Sequence, residues 1–168
     1  MEPKEMLDFI CKRRSVRRFQ KNPVPDEILE ALMKAAMAAP SGNNAQPWEF
    51  VIVRDPKIKE ELSRVHSWVN MAAEAPAAVV VLGNKSSEWW QDDCAAATEN
   101  LLLAAANLGL GTVWCGIKED QARAVRKILG VSGSMGVLCI VPLGYPAETT
   151  SPHTKYRKDK IHWDRYPK

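Results

Sequence analysis

The sequence predicts an α+β fold, a mixed central sheet wrapped by helices, built as one domain over residues 1–168. Three observations carry this. The chain has 168 residues, 46% hydrophobic and 26% charged, which is ordinary globular usage at a length that buries roughly 70% of the unfolded surface. Both the period-2 and the period-3.6 patterns occur, but helices precede the first strand and predominate, so the order is not strict β–α alternation. The apolar runs are short: residues 75–82, broken by Pro76, and residues 101–106, against the ~18–20 residues that a membrane span needs.

Residues 3–13 read as a short helix with Met6, Leu7 and Ile10 towards one face. Residues 21–25 (KNPVP) break the chain, and Pro25 followed by Asp26 and Glu27 is a helix start. Ile28, Leu29, Leu32, Met33, Ala36 and Met37 then form a helical stripe ending before Pro40. Residues 49–53 are β-branched and alternate, which predicts a strand. A helix follows from Pro56 to about Val65, then a short helical piece at 68–74 and a buried strand at 77–82. The pattern predicts a long Ala- and Leu-rich helix over 87–108 that stops at Gly109, a strand at 112–115, a helix over 120–129 that stops at Gly130, and an apolar strand at 135–143. The tail, 147–168, is polar, basic and aromatic, with no core of its own.

Composition and spacing exclude several chemistries. Cys11, Cys94, Cys115 and Cys139 form no Cys-x-x-Cys pair, and His66, His153 and His162 lie far from them, so no zinc site is expected. The N-terminus shows no secretory pattern, which leads to the expectation of reduced thiols and a cytoplasmic location. Residues 109–116 (GLGTVWCG) fail the dinucleotide fingerprint on spacing and on context, since they follow a helix and lead into a strand. There is no P-loop, no Gly-x-Ser-x-Gly elbow and no shared carboxylate pair. Asp92 and Asp93 read as charges favouring the start of the long helix.

The charge is uneven. Residues 12–21 (KRRSVRRFQK) hold +6 and residues 151–168 hold +4, leaving −7 on the other 140 residues. Such ends suit a nucleic acid, a small anion held between them, or simple solvation. In an extended segment Arg13, Ser15 and Arg17 share one face, two guanidinium forks and a hydroxyl that suit a phosphate, with Arg14 and Arg18 on the other. Residues 40–48 (PSGNNAQPW) are rich in amides, which suit a heteroaromatic ring edge or the loop's own backbone.

Together these segments bring out a resemblance to the nitroreductase-like FMN-dependent flavoproteins, in their short form. It rests on RRSVRRF (13–19), APSGNNAQPWEFVIV (39–53), Asn70 before APAAVVV, LGLGTVWCG (108–116), VPLGYP (141–146) and KYRKDKIHWDRY (155–166), and so runs nearly end to end. The resemblance implies FMN bound non-covalently at the interface of an intertwined homodimer. It implies that Arg13, Ser15 and Lys155 or Arg157 hold the phosphate with Arg14 alongside. Arg17 then lies near flavin N1 and O2, Asn70 meets the pyrimidine edge, and the backbone at Cys115 and Gly116 meets N5. Pro40, Ser41, Gly42 and Asn44 then reach the flavin from the partner subunit, and the tail wraps that partner.

The activity so implied is ping-pong transfer of reducing equivalents from NAD(P)H, arriving as hydride, to nitroaromatic, quinone or similar acceptors. The flavin carries the chemistry, and no protein residue is catalytic. Trp89 and Trp90 are candidates for the substrate side or for packing. The partners expected are a second copy and small molecules, with no nucleic acid, membrane or metal. The alternatives are another reaction on the same scaffold (dehalogenation, flavin-dependent dehydrogenation) or a non-catalytic FMN- or anion-binding protein.

Overall fold

The computed structural model describes residues 3–151 and 155–167. Five α-helices, α1 (Pro3–Lys12), α2 (Asp26–Met37), α3 (Pro56–Ser63), α4 (Trp90–Asn107) and α5 (Glu119–Leu129), surround five strands, β1 (Trp48–Val53), β2 (Ala77–Asn84), β3 (Gly111–Thr112), β4 (Cys115–Gly116) and β5 (Met135–Gly144). Single 3-10 turns stand at Gly42–Asn44, Ser67–Ala72 and Lys158–Lys160, so the short helical piece expected at 68–74 is a 3-10 turn.

The sheet order is β1-β2-β5-β3, with β4 beside β3 on β5. Pairings between the named strands are all antiparallel, and the parallel component is the bridge from Ser15 to Thr112. Because side chains alternate along a strand, Ala77, Val79 and Val81 of β2 face α2 and α4, with Leu29, Leu32, Leu101 and Ala105. Ala78, Val80 and Leu82 face the other way, onto Leu62, Val69, Ala122 and Val125. Helices therefore cover both faces of β2, which explains a run apolar at every position rather than at every second one. A bulge between Val81 and Leu82 shifts the register on β5, and Val137 and Ile140, three apart, consequently lie in the same core.

The strand expected at 112–115 is split. β3 and β4 keep one register on β5, with Thr112 opposite Leu143 and Cys115 opposite Ile140. That register sets Pro142 against Val113. Proline has no N–H to give, so the ladder breaks there and resumes two residues on. The long helix starts at Trp90 rather than at residue 87, because Ser87 N–H bonds Asn84 O and Ser86 bonds the Asn84 side chain, a turn rather than a helix. The two glycine stops hold: Gly109 has φ 74° and Gly130 φ 67°, where a side chain would be strained.

Trp90 is partly buried and packs against the core. Its six-membered ring rests on Gly136, where an added Cβ would stand 2.3 Å from Cη2, and on Gly83, where it would stand 2.5 Å from Cε3. Lys59 is buried too, its ammonium donating to the carbonyls of Ala75 and Pro76 before β2. Burial, and then the neighbouring Lys21, lower its pKa.

Candidate functional site

The basic segment 13–20 is laid along β3 and the chain after β5. Val16 N–H donates to Thr112 O (2.9 Å), Gln20 N–H to Tyr145 O (2.8 Å) and Ala147 N–H to Arg18 O (2.9 Å). Gly111 permits this close approach, since a Cβ there would meet the Val16 side chain at 2.6 Å. Val16 and Phe19 are the buried residues of the segment. Their spacing of three departs from strand alternation.

Arg13, Arg14, Ser15 and Arg17 all line one basin of about 240 Å³ with Thr150, Ser151 and Lys155. The two chain ends thus converge. Arg13 uses Nε on Glu99 (3.4 Å). Arg14 donates to Cys11 O (2.8 Å), Arg13 O (2.7 Å) and Ser151 O (3.2 Å). Arg157 does not line the basin; it pairs with Asp159 within the tail.

Arg17 also lines a cavity of about 550 Å³ with Trp68, Val113, Trp114, Cys115, Gly116, Ile117, Lys118 and Leu138. It lines a third, about 370 Å³, with Arg18, Phe19, Lys21, Asn70, Met71 and Glu74. At β4, Ile117 N–H bonds Leu138 O (3.0 Å), so by antiparallel alternation Gly116 turns its N–H and C=O away from β5. Its carbonyl accepts the Trp68 indole N–H (3.0 Å). A Cβ at Gly116 would meet only Trp114 Nε1, at 3.7 Å. Among the described residues no packing demands glycine there, whereas a side chain would narrow the cavity that Gly116 lines.

The Cys115 thiol donates to Trp68 O (3.2 Å). Burial pushes its pKa up to about 11 against the pull of Arg17. That makes it a neutral packing group rather than a nucleophile.

The other predicted residues lie elsewhere. Pro40, Ser41, Gly42 and Asn44 form the loop into β1, at the sheet edge opposite β3 and β4. Gly42 N–H donates to Asp93 Oδ1 (3.0 Å), and Trp89, half exposed, covers Gly42. Asp93 therefore does more than favour the helix start. Sequence reasoning missed Trp68, Trp114, Thr150 and Ser151 in the lining; the aromatic pair flanking Asn70 and Cys115 was the available signal.

The donor set around the basin is cationic forks and hydroxyls, the chemistry that takes a phosphate. The adjoining cavity has aromatic walls, an outward-facing backbone edge and a missing side chain, the chemistry that takes a flat heteroaromatic ring. The model of the nitroreductase family matches residues 10–85 and 64–145.

The chain belongs to the nitroreductase family.

Similar proteins span nearly its whole length. A provisionally named NADH dehydrogenase/NAD(P)H nitroreductase from Archaeoglobus fulgidus is 38% identical over 96% of this chain and 99% of its own. A crystal structure of a protein of the same provisional name from Bacteroides thetaiotaomicron is 38% identical, with TM-score 0.93 over 96% of this chain and 98% of that one. An iodotyrosine deiodinase crystal structure, bound to FMN and 3-iodo-L-tyrosine, is 28% identical, with TM-score 0.83 over 96% and 100%. This member of the nitroreductase family thus resembles relatives of more than one named reaction, on one fold.

Proposed function

We propose that the chain is an FMN-dependent oxidoreductase of the nitroreductase type, working as a homodimer with NAD(P)H as donor. The observation that carries the reading is the position of Arg17, which borders the cationic basin, the ring-sized cavity at Gly116 and the cavity at Asn70. Phosphate, ring and pyrimidine edge of one FMN would meet this single run of surface.

When bound, the flavin supplies two-electron chemistry, taking reducing equivalents from NAD(P)H and passing them to a nitroaromatic, quinone or similar electron-poor acceptor. The chain's own residues do the rest. Arg13, Ser15 and Lys155 hold the phosphate, with Arg14 supporting from behind through its bonds to the backbone. The Arg17 guanidinium favours negative charge on the pyrimidine edge by Coulomb attraction in a partly dry site. Gly116 presents its N–H and keeps the ring's approach clear. Trp68 and Trp114 exclude water from one wall.

The homodimer is supported from two sides. Loop 40–46 and the Gly116 edge are separated by the sheet's width, about 14 Å at ~4.8 Å per strand spacing, so a partner's loop is the one that would close the site. The tail carries Trp163 and Tyr166 at 85% and 81% exposure, and Leu7 of α1 stands at 65%. Apolar surface of that kind is suited to cover by a second copy.

Dehalogenation is the second reading, favoured by the likeness to the FMN-bound deiodinase. Steady-state oxidation of NADH and NADPH, with menadione, a nitroarene or 3-iodotyrosine as acceptor, tests both. Turnover with the first two supports the proposal. Turnover with iodotyrosine alone favours the second reading, and turnover with none leaves a flavin-binding protein.

A further inference from the structure

Loop 40–46 holds three non-glycine residues in the left-handed region: Asn43 (φ 52°), Asn44 (φ 55°) and Gln46 (φ 45°). Such a backbone persists only where its surroundings over-determine it. Bonds within the loop set its shape: Asn44 N–H to Ser41 O (3.0 Å), Ala45 N–H to Gly42 O (2.9 Å) and Gln46 N–H to Ser41 Oγ (3.1 Å). They do not set where the loop sits. Its flanks are tied down by Ala39 and Trp48 in the core and by Asn84 N–H on Pro47 O (2.9 Å), and its middle by α4, where Asp93 Oδ1 accepts the Gly42 N–H at 3.0 Å while the Trp89 indole closes over the same residue. A Cβ on Gly42 would stand 2.9 Å from Trp89 Cδ1, so the glycine is clasped between helix start and indole.

Asp93 is buried at 5% exposure, and its Oδ2 has no hydrogen-bond partner among the described residues. Burying a carboxylate half-satisfied is unfavourable. A charge needed only for the helix N-terminus would not be placed so, because Asp92, one residue earlier in the same first turn, serves that purpose in solvent.

We propose that Asp93 is the positioning residue of loop 40–46, holding it through Gly42 in the place from which it forms the flavin wall of the partner subunit. The inference rests on the proposed FMN site and adds a residue to it. The loop's reach is set by a contact between residues 51 apart in sequence.

The test uses the purified full-length protein and FMN. Two quantities are read: the FMN dissociation constant from flavin fluorescence, and hydrogen exchange of peptides covering 41–47. Asp93→Ala is expected to weaken FMN at least tenfold and to speed exchange in the loop. Asp93→Asn keeps an oxygen for the Gly42 N–H and is expected to stay within twofold on both readouts. Asp92→Ala, in the same helical turn, is expected to change neither. If Asp93→Ala does not fold, Asp93→Ser, one atom shorter than the reach required, takes its place. Unchanged FMN affinity in that variant overturns the inference, as does an equal loss in Asp92→Ala, which marks a helix-start effect. Loss of FMN in Arg13→Ala/Lys155→Ala beside wild-type affinity in Asp93→Ala overturns this inference alone. A wild type that takes up no FMN overturns the proposed function as well.

Discussion

One oxygen of Glu148, Oε1, accepts the backbone N–H groups of both Arg17 (2.7 Å) and Arg18 (3.2 Å). A carboxylate from the chain after β5 thereby pins the basic segment and sets where Arg17 projects. It does so within the most cationic part of the molecule.

Removing that carboxylate frees the Arg17 backbone. Glu148→Ala is expected to weaken FMN binding several-fold and to lower stability by about 1–2 kcal/mol, the scale of charge-assisted hydrogen bonds at a partly exposed site. Glu148→Gln retains an acceptor oxygen and should recover most of both. Fluorescence titration and urea unfolding measure the two effects.

Trp90 packs closely against Gly136. Gly136→Ala puts a methyl carbon within 2.3–2.8 Å of three atoms of the Trp90 ring, an overpacking worth about 1–3 kcal/mol. Trp90→Phe removes the far part of that ring. The double variant is therefore expected to be more stable than the sum of the two single losses. A double-mutant cycle in urea checks this, and simple additivity contradicts it.

The thiols divide by environment. Cys11 is exposed, whereas Cys94, Cys115 and Cys139 are buried. Burial, then the Asp93 charge, raises Cys94 to about 12; burial raises Cys115 to about 11 and Cys139 further still. A native reaction with a thiol reagent at pH 8 should therefore label Cys11 promptly and the other three slowly, on the timescale of opening. The folded state holds these protons more tightly than the unfolded state, whose cysteines titrate at their ordinary value of about 9. Stability is thus complete below pH 9 and falls as pH rises from 9 towards 11, as unfolding curves at stepped pH would show.

Lys59 predicts a structural rather than a catalytic loss. Lys59→Ala leaves the Ala75 and Pro76 carbonyls without their shared donor, which costs about 2–3 kcal/mol. FMN affinity is expected to stay within twofold, since Lys59 lines neither the basin nor the cavities described at Arg17.

Local chemistry made much of this fold legible. Pro25 with Asp26, Asp55 with Pro56, and the glycines at 109 and 130 mark helix ends through backbone geometry that neighbours do not override. The all-apolar β2 announced a strand covered on both faces. What sequence spacing could not show was register. The break between β3 and β4 depends on Pro142 standing opposite Val113, 29 residues away in the chain, and periodicity within either segment carries no sign of it. Trp90 on Gly83 and Gly136 and Asp93 on Gly42 are likewise long-range packing relations, and a tryptophan or aspartate at a helix start looks the same whichever way it turns. At the site, the convergence of Arg13, Ser15, Arg17 and Lys155 was visible as charge at the two ends, while the pairing of Arg157 with Asp159 away from that basin depends on the path of the tail.

In the proposed function, cations from the two chain ends close on one FMN phosphate. Titration of FMN into the deflavinated wild type and into Arg13→Ala/Lys155→Ala, read by quenching of flavin fluorescence, tests it most directly. One FMN per chain is expected for the wild type and a loss of about 100-fold or more in the double variant, from two charge-assisted bonds of ~1.5–3 kcal/mol each. A wild type that quenches no flavin, or a double variant with wild-type affinity, would contradict it.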